Sequence, residues 1–213
     1  VEGDRQDPKP RQDVSARTIA HYEANAASFW LGTKDHEVTQ NYAAMFGAIA
    51  TPPPWRILDF GCGPGRDLVR FRALGHEAVG LEGSPAFCAM ARQVSGCEVL
   101  EQDFLALALT PDRFDGVFAN ASLFHVPGRE LPRVLREIRC SLKSGGVLFA
   151  SNPRGHDEEG WRGERYGSYW SLESWSATVT AAGFEALGHY YRPEGKPREE
   201  QPWLASVWRR SGA

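Results

Sequence analysis

Ile57-Leu58-Asp59-Phe60-Gly61-Cys62-Gly63-Pro64-Gly65-Arg66-Asp67 decides the fold. A short apolar run ends in an acid, glycines at alternate positions make a turn, and Leu68, Phe71 and Leu74 follow at helical spacing on one side. Strand, glycine turn and helix in this order open nucleotide-binding sheets, because glycine permits the sharp turn and lets a ligand approach the backbone. The glycine spacing narrows the class. A dinucleotide site wants G-x-G-x-x-G, but Arg66 stands where its last glycine would fall. A phosphate loop wants Gly-Lys-Ser/Thr, which is absent.

The 213 residues suffice for one domain with a sizeable core. A net charge of −3 is too balanced to draw nucleic acid or an anionic membrane by bulk attraction. No apolar run approaches a membrane span and no signal peptide is visible, so neither a membrane nor a nucleic-acid partner is expected. The four cysteines, Cys62, Cys88, Cys97 and Cys140, lack metal-ligand spacing and read as reduced thiols of a cytoplasmic protein without a metal. Seven Trp and eleven Phe suit a core plus an aromatic-lined small-molecule pocket. The chain starts at Val1, which is expected of a processed, trimmed or excised segment, and the charged, proline-bearing residues 1–13 read as a linker or tail.

Residues 14–213 form the expected domain. Two helix candidates, Val14–Ala27 and a second running to Ala50, precede Pro52-Pro53-Pro54, and residues 14–54 read as a helical lid. Glu77–Glu82 is the second strand, capped after by Ser84-Pro85 at a helix start. Glu82 lies 21 positions after Gly61, close to the ~20 expected of an acid that accepts from ribose hydroxyls. Cys97–Leu100 and Phe114–Asn120 are further strands, and Leu131, Val134, Leu135, Ile138 and Leu142 mark a helix. Val147–Asn152 is the fifth strand, followed by a polar-aromatic loop from Pro153 to Tyr169. Ser171 caps a helix to Ala182. Phe184–Tyr191 and Trp203–Trp208 have no helix between them, so they pair antiparallel.

Asp59-Phe60-Gly61-Cys62-Gly63-Pro64-Gly65, Glu82-Gly83-Ser84, Gln102-Asp103-Phe104, Phe114-Asp115-Gly116-Val117 and Leu142-Lys143-Ser144-Gly145-Gly146 together resemble the class I S-adenosylmethionine (SAM) methyltransferases. That resemblance implies an α/β, Rossmann-like fold with a seven-stranded, mostly parallel sheet and an antiparallel last strand. It implies SAM as cofactor, S-adenosylhomocysteine (SAH) as product and no metal. Thr33-Lys34-Asp35-His36, Phe118 through Pro127, Ser151-Asn152-Pro153-Arg154-Gly155 and Gln201 through Trp208 look like the methyltransferase domain of ovothiol biosynthesis, which methylates a ring nitrogen of 5-thiohistidine. Its implied partners are that small amino acid and a sulfoxide synthase, fused or separate.

The resemblance places Asp59, Gly61, Cys62, Gly63 and Arg66 around the methionine end of SAM, Glu82 and Gly83 at the ribose, and Asp103 and Phe104 at the adenine. Tyr22 and Trp30 approach from the lid. Asn120, at the end of the fourth strand, is expected beside the sulfonium and the acceptor, with His125 as its catalytic companion. Lys34 and Arg154 are expected at the acceptor's carboxylate, and Asn41, Asn152, Tyr166 and Tyr169 around its ring and thiolate. Two other readings stand beside this one: a methyltransferase for another small amine, thiol or hydroxyl, and a SAM-binding regulatory module without catalysis.

Overall fold

The computed structural model describes residues 11–212, and the side chains of residues 14–212. Residues 1–10 of the expected tail lie outside the described residues; residues 11–13 belong to the first helix. The parallel part of the sheet comprises β1 (Arg56–Phe60), β2 (Glu77–Glu82), β3 (Glu98–Glu101), β4 (Phe114–Asn120) and β5 (Leu142–Pro153). β8 (Phe184–Arg192) and β9 (Trp203–Arg210) complete it, in the order β3-β2-β1-β4-β5-β9-β8. β9 is antiparallel to both of its neighbours. This is the expected Rossmann-like sheet of seven strands, with the last strand inserted antiparallel.

Successive residues of a strand face opposite sides of a sheet. Leu58, Val117 and Leu148 pack on one side under α6 (Leu131–Ser141) and α7 (Leu172–Ala181). Ile57, Phe118 and Phe149 pack on the other, under α3 (Thr39–Phe46), α4 (Arg66–Ala73) and α5 (Pro85–Ser95). Covering both faces explains why these strands read as continuous apolar runs. Leu68 and Phe71 of α4 are fully buried as expected, whereas Leu74 is 43% exposed, since the helix ends at Ala73 before its period returns it to the core.

Strand order reverses between β1 and β4, so the loops leaving their carboxyl ends diverge and open a crevice. α1 (Arg11–Ala24) and α2 (Ala26–Thr33) lie across it, and residues 14–54, read as two helices, hold three, of which α3 packs against the sheet. Residues 153–169, read as a loop, contain a hairpin: β6 (Glu158–Arg162) pairs with β7 (Arg165–Tyr169) around Gly163, at φ +63°. Glycine at that turn position admits the left-handed backbone a tight hairpin needs. The hairpin anchors α1. Arg17 pairs with Glu164 at 2.6 Å and lies 4.3 Å over the Trp161 ring, and Thr18 Oγ1 accepts from the Tyr166 backbone N–H. At its other end α1 presents Glu23, which accepts from the Ala86 N–H and the Ser84 hydroxyl at the start of α5.

Candidate active site

The crevice is a cavity of about 760 Å³, within the ordinary range for small-molecule sites. Its floor is the glycine turn after β1. Gly61 and Cys62 both donate backbone N–H to Leu81 O, at 2.8 and 3.1 Å, so the turn folds over the end of β2. Glu82 closes it from the side. One carboxylate oxygen accepts from Gly63 N–H at 3.1 Å, and the other from Gly83 and Ser84 N–H at 2.8 and 2.9 Å. Burial pushes the Glu82 carboxyl above its usual range, against the pull of those donors. Phe104 stacks on Phe60 at 4.4 Å and faces the cavity, and the Asp103 carboxylate accepts from Leu105 N–H, which fixes the loop after β3. Under the lid, Tyr22, Phe29 and Phe87 pack with ring centroids 5.2 to 5.7 Å apart.

The acceptor side begins at Asn120. Ala121, directly after it, holds φ +61°, and its N–H bonds Ser151 O at 2.8 Å. A left-handed alanine costs on the order of 1 kcal/mol, and such strain gathers at functional sites. Asn120 Oδ1 accepts from the buried Asn41 amide at 3.0 Å, and Asn41 in turn accepts from the Tyr190 hydroxyl at 2.8 Å. The Asn120 NH2 is therefore the group left for the cavity.

His125 is also at the wall, with both ring nitrogens engaged. Nδ1 faces the Tyr166 carbonyl at 2.6 Å, and Nε2 faces the Tyr22 hydroxyl at 2.8 Å. A carbonyl only accepts, so Nδ1 carries the proton and Nε2 accepts from Tyr22. Burial lowers the imidazole to about 4. The ring is a neutral latch between lid and hairpin. Because its pKa is depressed on folding, the latch stabilises fully above the ordinary imidazole value and weakens as pH falls toward 4. Wild type is thus expected to lose stability relative to His125→Gln by on the order of 3 kcal/mol between pH 7 and pH 4. Urea unfolding of both proteins across that window checks it, and a constant gap removes the latch.

The residues present fit a ligand with an adenosine end and a cationic sulfur. Glu82 offers a carboxylate to hydroxyls, Phe104 offers a face to a flat ring, and a Cβ on Gly63 would meet only Phe29, at 3.8 Å, so that side of the turn is open. Residues 57–146 match the family described as "Methyltransferase domain". The fold is that of the class I SAM-dependent methyltransferases. The chain is 26% identical over 118 residues to Hemagglutinin 1 of Eikenella corrodens, covering 53% of this chain and 39% of the relative. It is 29% identical over 127 residues to trans-aconitate 2-methyltransferase of Variovorax paradoxus, covering 58% and 48%. The chain thus spans less than half the length of these curated relatives. Among solved structures, the 1,6-didemethyltoxoflavin-N1-methyltransferase of Burkholderia thailandensis, with bound SAH, superposes at a TM-score of 0.80 and 17% identity. That match covers 97% of this chain and 93% of the other.

The fold brings together Tyr22, Trp30, Gly61, Cys62, Gly63, Arg66, Glu82, Gly83, Asp103, Phe104, Asn120 and His125 at the cavity wall. Asp59 does not reach the wall. It lies buried beneath the turn, its Oδ2 without a partner, and burial with nearby Asp67 raises its pKa well above the carboxylate range. Arg66 is at the wall but spent: it forks onto Asp67 at 2.7 and 2.9 Å and donates to Thr33 O.

None of the six residues expected to bind the acceptor lines the cavity. Lys34 ends α2 pointing to solvent beside Asp35. Arg154 donates to Arg198 O and lies against the Tyr191 ring. Asn41 sits beneath Asn120 as its support. Asn152 falls on the opposite sheet face from Ser151, buried at 3% exposure. Tyr166 serves the site through its backbone carbonyl, not its phenol. Tyr169 is buried under the Arg162 guanidinium, 3.5 Å from the ring. Phe29, weighed in the sequence with Tyr22 and Trp30 as a lid aromatic, is at the wall as well, and sequence reading missed Phe87, Arg165, Arg192 and Trp203 there. Among the described residues no His/Cys/Asp/Glu cluster would hold a metal, and no helix is long and apolar enough to cross a membrane.

Proposed function

We propose that this protein transfers a methyl group from SAM to a ring nitrogen of 5-thiohistidine. The observation that carries the reading is one cavity with two halves: a carboxylate and aromatic half at Glu82 and Phe104, and a polar half at Asn120 and Tyr22 under the lid. SAM supplies an electrophilic methyl on a positively charged sulfur. A neutral imidazole nitrogen already has a lone pair, so what the chain must do is aim the ring, keep water out and hold the competing thiolate away.

Tyr22 and Phe29 of the lid, packed on Phe87 of α5, exclude water. The Tyr22 hydroxyl proton is committed to His125 and the Arg165 side chain donates to its oxygen, so Tyr22 offers the acceptor ring the edge of its own ring. Asn120 offers an NH2, fitted to a thiolate. A thiolate held at Asn120 orients the ring with its lone-pair nitrogen toward the methyl group. His125, neutral and doubly engaged, holds Tyr22 rather than removing a proton from the acceptor. A sulfur-inserting enzyme would supply such a thiol substrate.

The second reading is a carboxylate-oxygen acceptor, favoured by the similarity to a trans-aconitate methyltransferase. Incubation with SAM and 5-thiohistidine, histidine or trans-aconitate, read by product mass, separates them. A methyl adduct of 5-thiohistidine on ring nitrogen is expected. Adducts on sulfur, or none where SAH still binds, would sink the reading.

A further inference from the structure

Three arginines reach the cavity, and they differ in what already occupies them. Arg66 is neutralised by Asp67. Arg165 is exposed on the hairpin. Arg192, at the carboxyl end of β8, is partly buried, and among the described residues its one hydrogen bond runs from Nη2 to Ser151 Oγ at 3.0 Å. Its Nε is buried without a partner. No carboxylate among the described residues lies within ion-pair distance of it, and the Trp203 ring backs it at 5.8 Å. Ser151 pairs in register with Asn120, so the bond to Ser151 ties the guanidinium to the acceptor half of the cavity.

A half-buried, unneutralised guanidinium is expensive to keep unless a ligand completes it. Burial holds its pKa below the ordinary arginine value. Its flat fork matches a carboxylate with two parallel N–H bonds.

We infer that Arg192 binds a carboxylate of the methyl acceptor, so that the acceptors of this site are small carboxylic acids. The inference deepens the methyl-transfer reading and rests on it for the word acceptor, but the charge at Arg192 is testable without turnover.

The test is calorimetry on SAH-saturated protein with 5-thiohistidine, L-histidine and trans-aconitate as carboxylates, and with 5-thiohistamine and histamine as decarboxylated counterparts. Wild type, Arg192→Met, Arg192→Lys, Arg165→Met and Arg154→Ala are compared. At least one carboxylate should bind wild type and lose tenfold or more in Arg192→Met, with part of the loss recovered in Arg192→Lys. The decarboxylated counterparts should be indifferent, Arg154→Ala should match wild type, and unchanged SAH affinity shows that each variant is folded. Should Arg192→Met not fold, Arg192→Gln removes the charge while keeping a donor for Ser151.

The inference is overturned if no carboxylate binds wild type, if carboxylates and counterparts weaken alike, or if only Arg165→Met loses carboxylate affinity. Product mass keeps the two ideas apart. Arg192-dependent carboxylate binding without methylation of 5-thiohistidine removes that substrate and leaves Arg192. Methylation of 5-thiohistidine with unaltered KM in Arg192→Met does the reverse.

Discussion

Replacing Glu82 with alanine is expected to weaken SAH binding at least a hundredfold. The carboxylate does two things at once. It ties the glycine turn to the start of α5 by accepting from Gly63, Gly83 and Ser84 N–H, and it faces the cavity where ribose hydroxyls would need an acceptor. Hydrogen bonds to a charged group contribute about 1.5–3 kcal/mol each, so losing one to the ligand and loosening two or three in the turn exceeds the roughly 2.7 kcal/mol that a hundredfold requires. Glu82→Gln should also fail. Its NH2 would meet backbone N–H donors on at least one side, and an amide turned either way cannot accept from Gly63 and Gly83 together. Calorimetry with SAH decides the matter, and a dissociation constant within threefold of wild type in either variant would remove Glu82 from the site.

Glu82 was legible in the sequence because everything that places it is local. A strand of fixed length follows a glycine turn at a fixed distance, and the register of β1 against β2, Phe60 beside Leu81, puts the acid next to the turn. The same holds for Asn120, at the end of the apolar run of β4, and for Phe104, three residues past the end of β3. Locality also explains the errors. The acceptor half is assembled from elements distant in the chain: α1 brings Tyr22, the end of β4 brings Asn120, and β8 brings Arg192. β8 is an edge strand with most of its length exposed, so no apolar alternation marks which of its residues turns inward.

Lys34 and Arg154 had the right charge and sat in the right segments. The chemistry expected of them was a carboxylate site; Arg192 lines the cavity and they do not, which is why we propose that role for Arg192 instead. The hairpin was missed for a related reason. β6 and β7 pair only with each other, and charges in β6 and a glycine in each strand break the alternation, a pattern that reads as loop. It contributes Arg165 to the cavity wall and the backbone carbonyl of Tyr166 to His125, and no side-chain pattern could have disclosed the carbonyl.

The glycine turn gives the other large effect, and a pair of substitutions separates its two duties. A Cβ on Gly61 would stand 2.4 Å from Ser122 Cβ and 3.1 Å from Phe104 Cζ, at a backbone φ of +78°. Gly61→Ala therefore meets left-handed strain of about 1–2 kcal/mol and overpacking of about 1–3 kcal/mol together. The clash also displaces Phe104 from Phe60 and pries Ser122 Oγ from its bond to Phe60 O. A loss of about 3 kcal/mol in unfolding free energy is expected, with SAH affinity down tenfold or more even where the variant is fully folded. Gly63→Ala carries the left-handed strain, at φ +51°, but its Cβ would meet nothing nearer than Phe29 at 3.8 Å. Its stability should fall by only about 1 kcal/mol, yet the new methyl group stands at the cavity wall, so SAH affinity should again drop by tenfold or more. Urea unfolding and calorimetry on both variants give the comparison. Equal destabilisation of the two would mean that Ser122 and Phe104 do not press on the turn. Full SAH affinity in Gly63→Ala would mean that the ligand does not lie along the glycine backbone, and the assignment of the turn as the floor of the site would have to be given up.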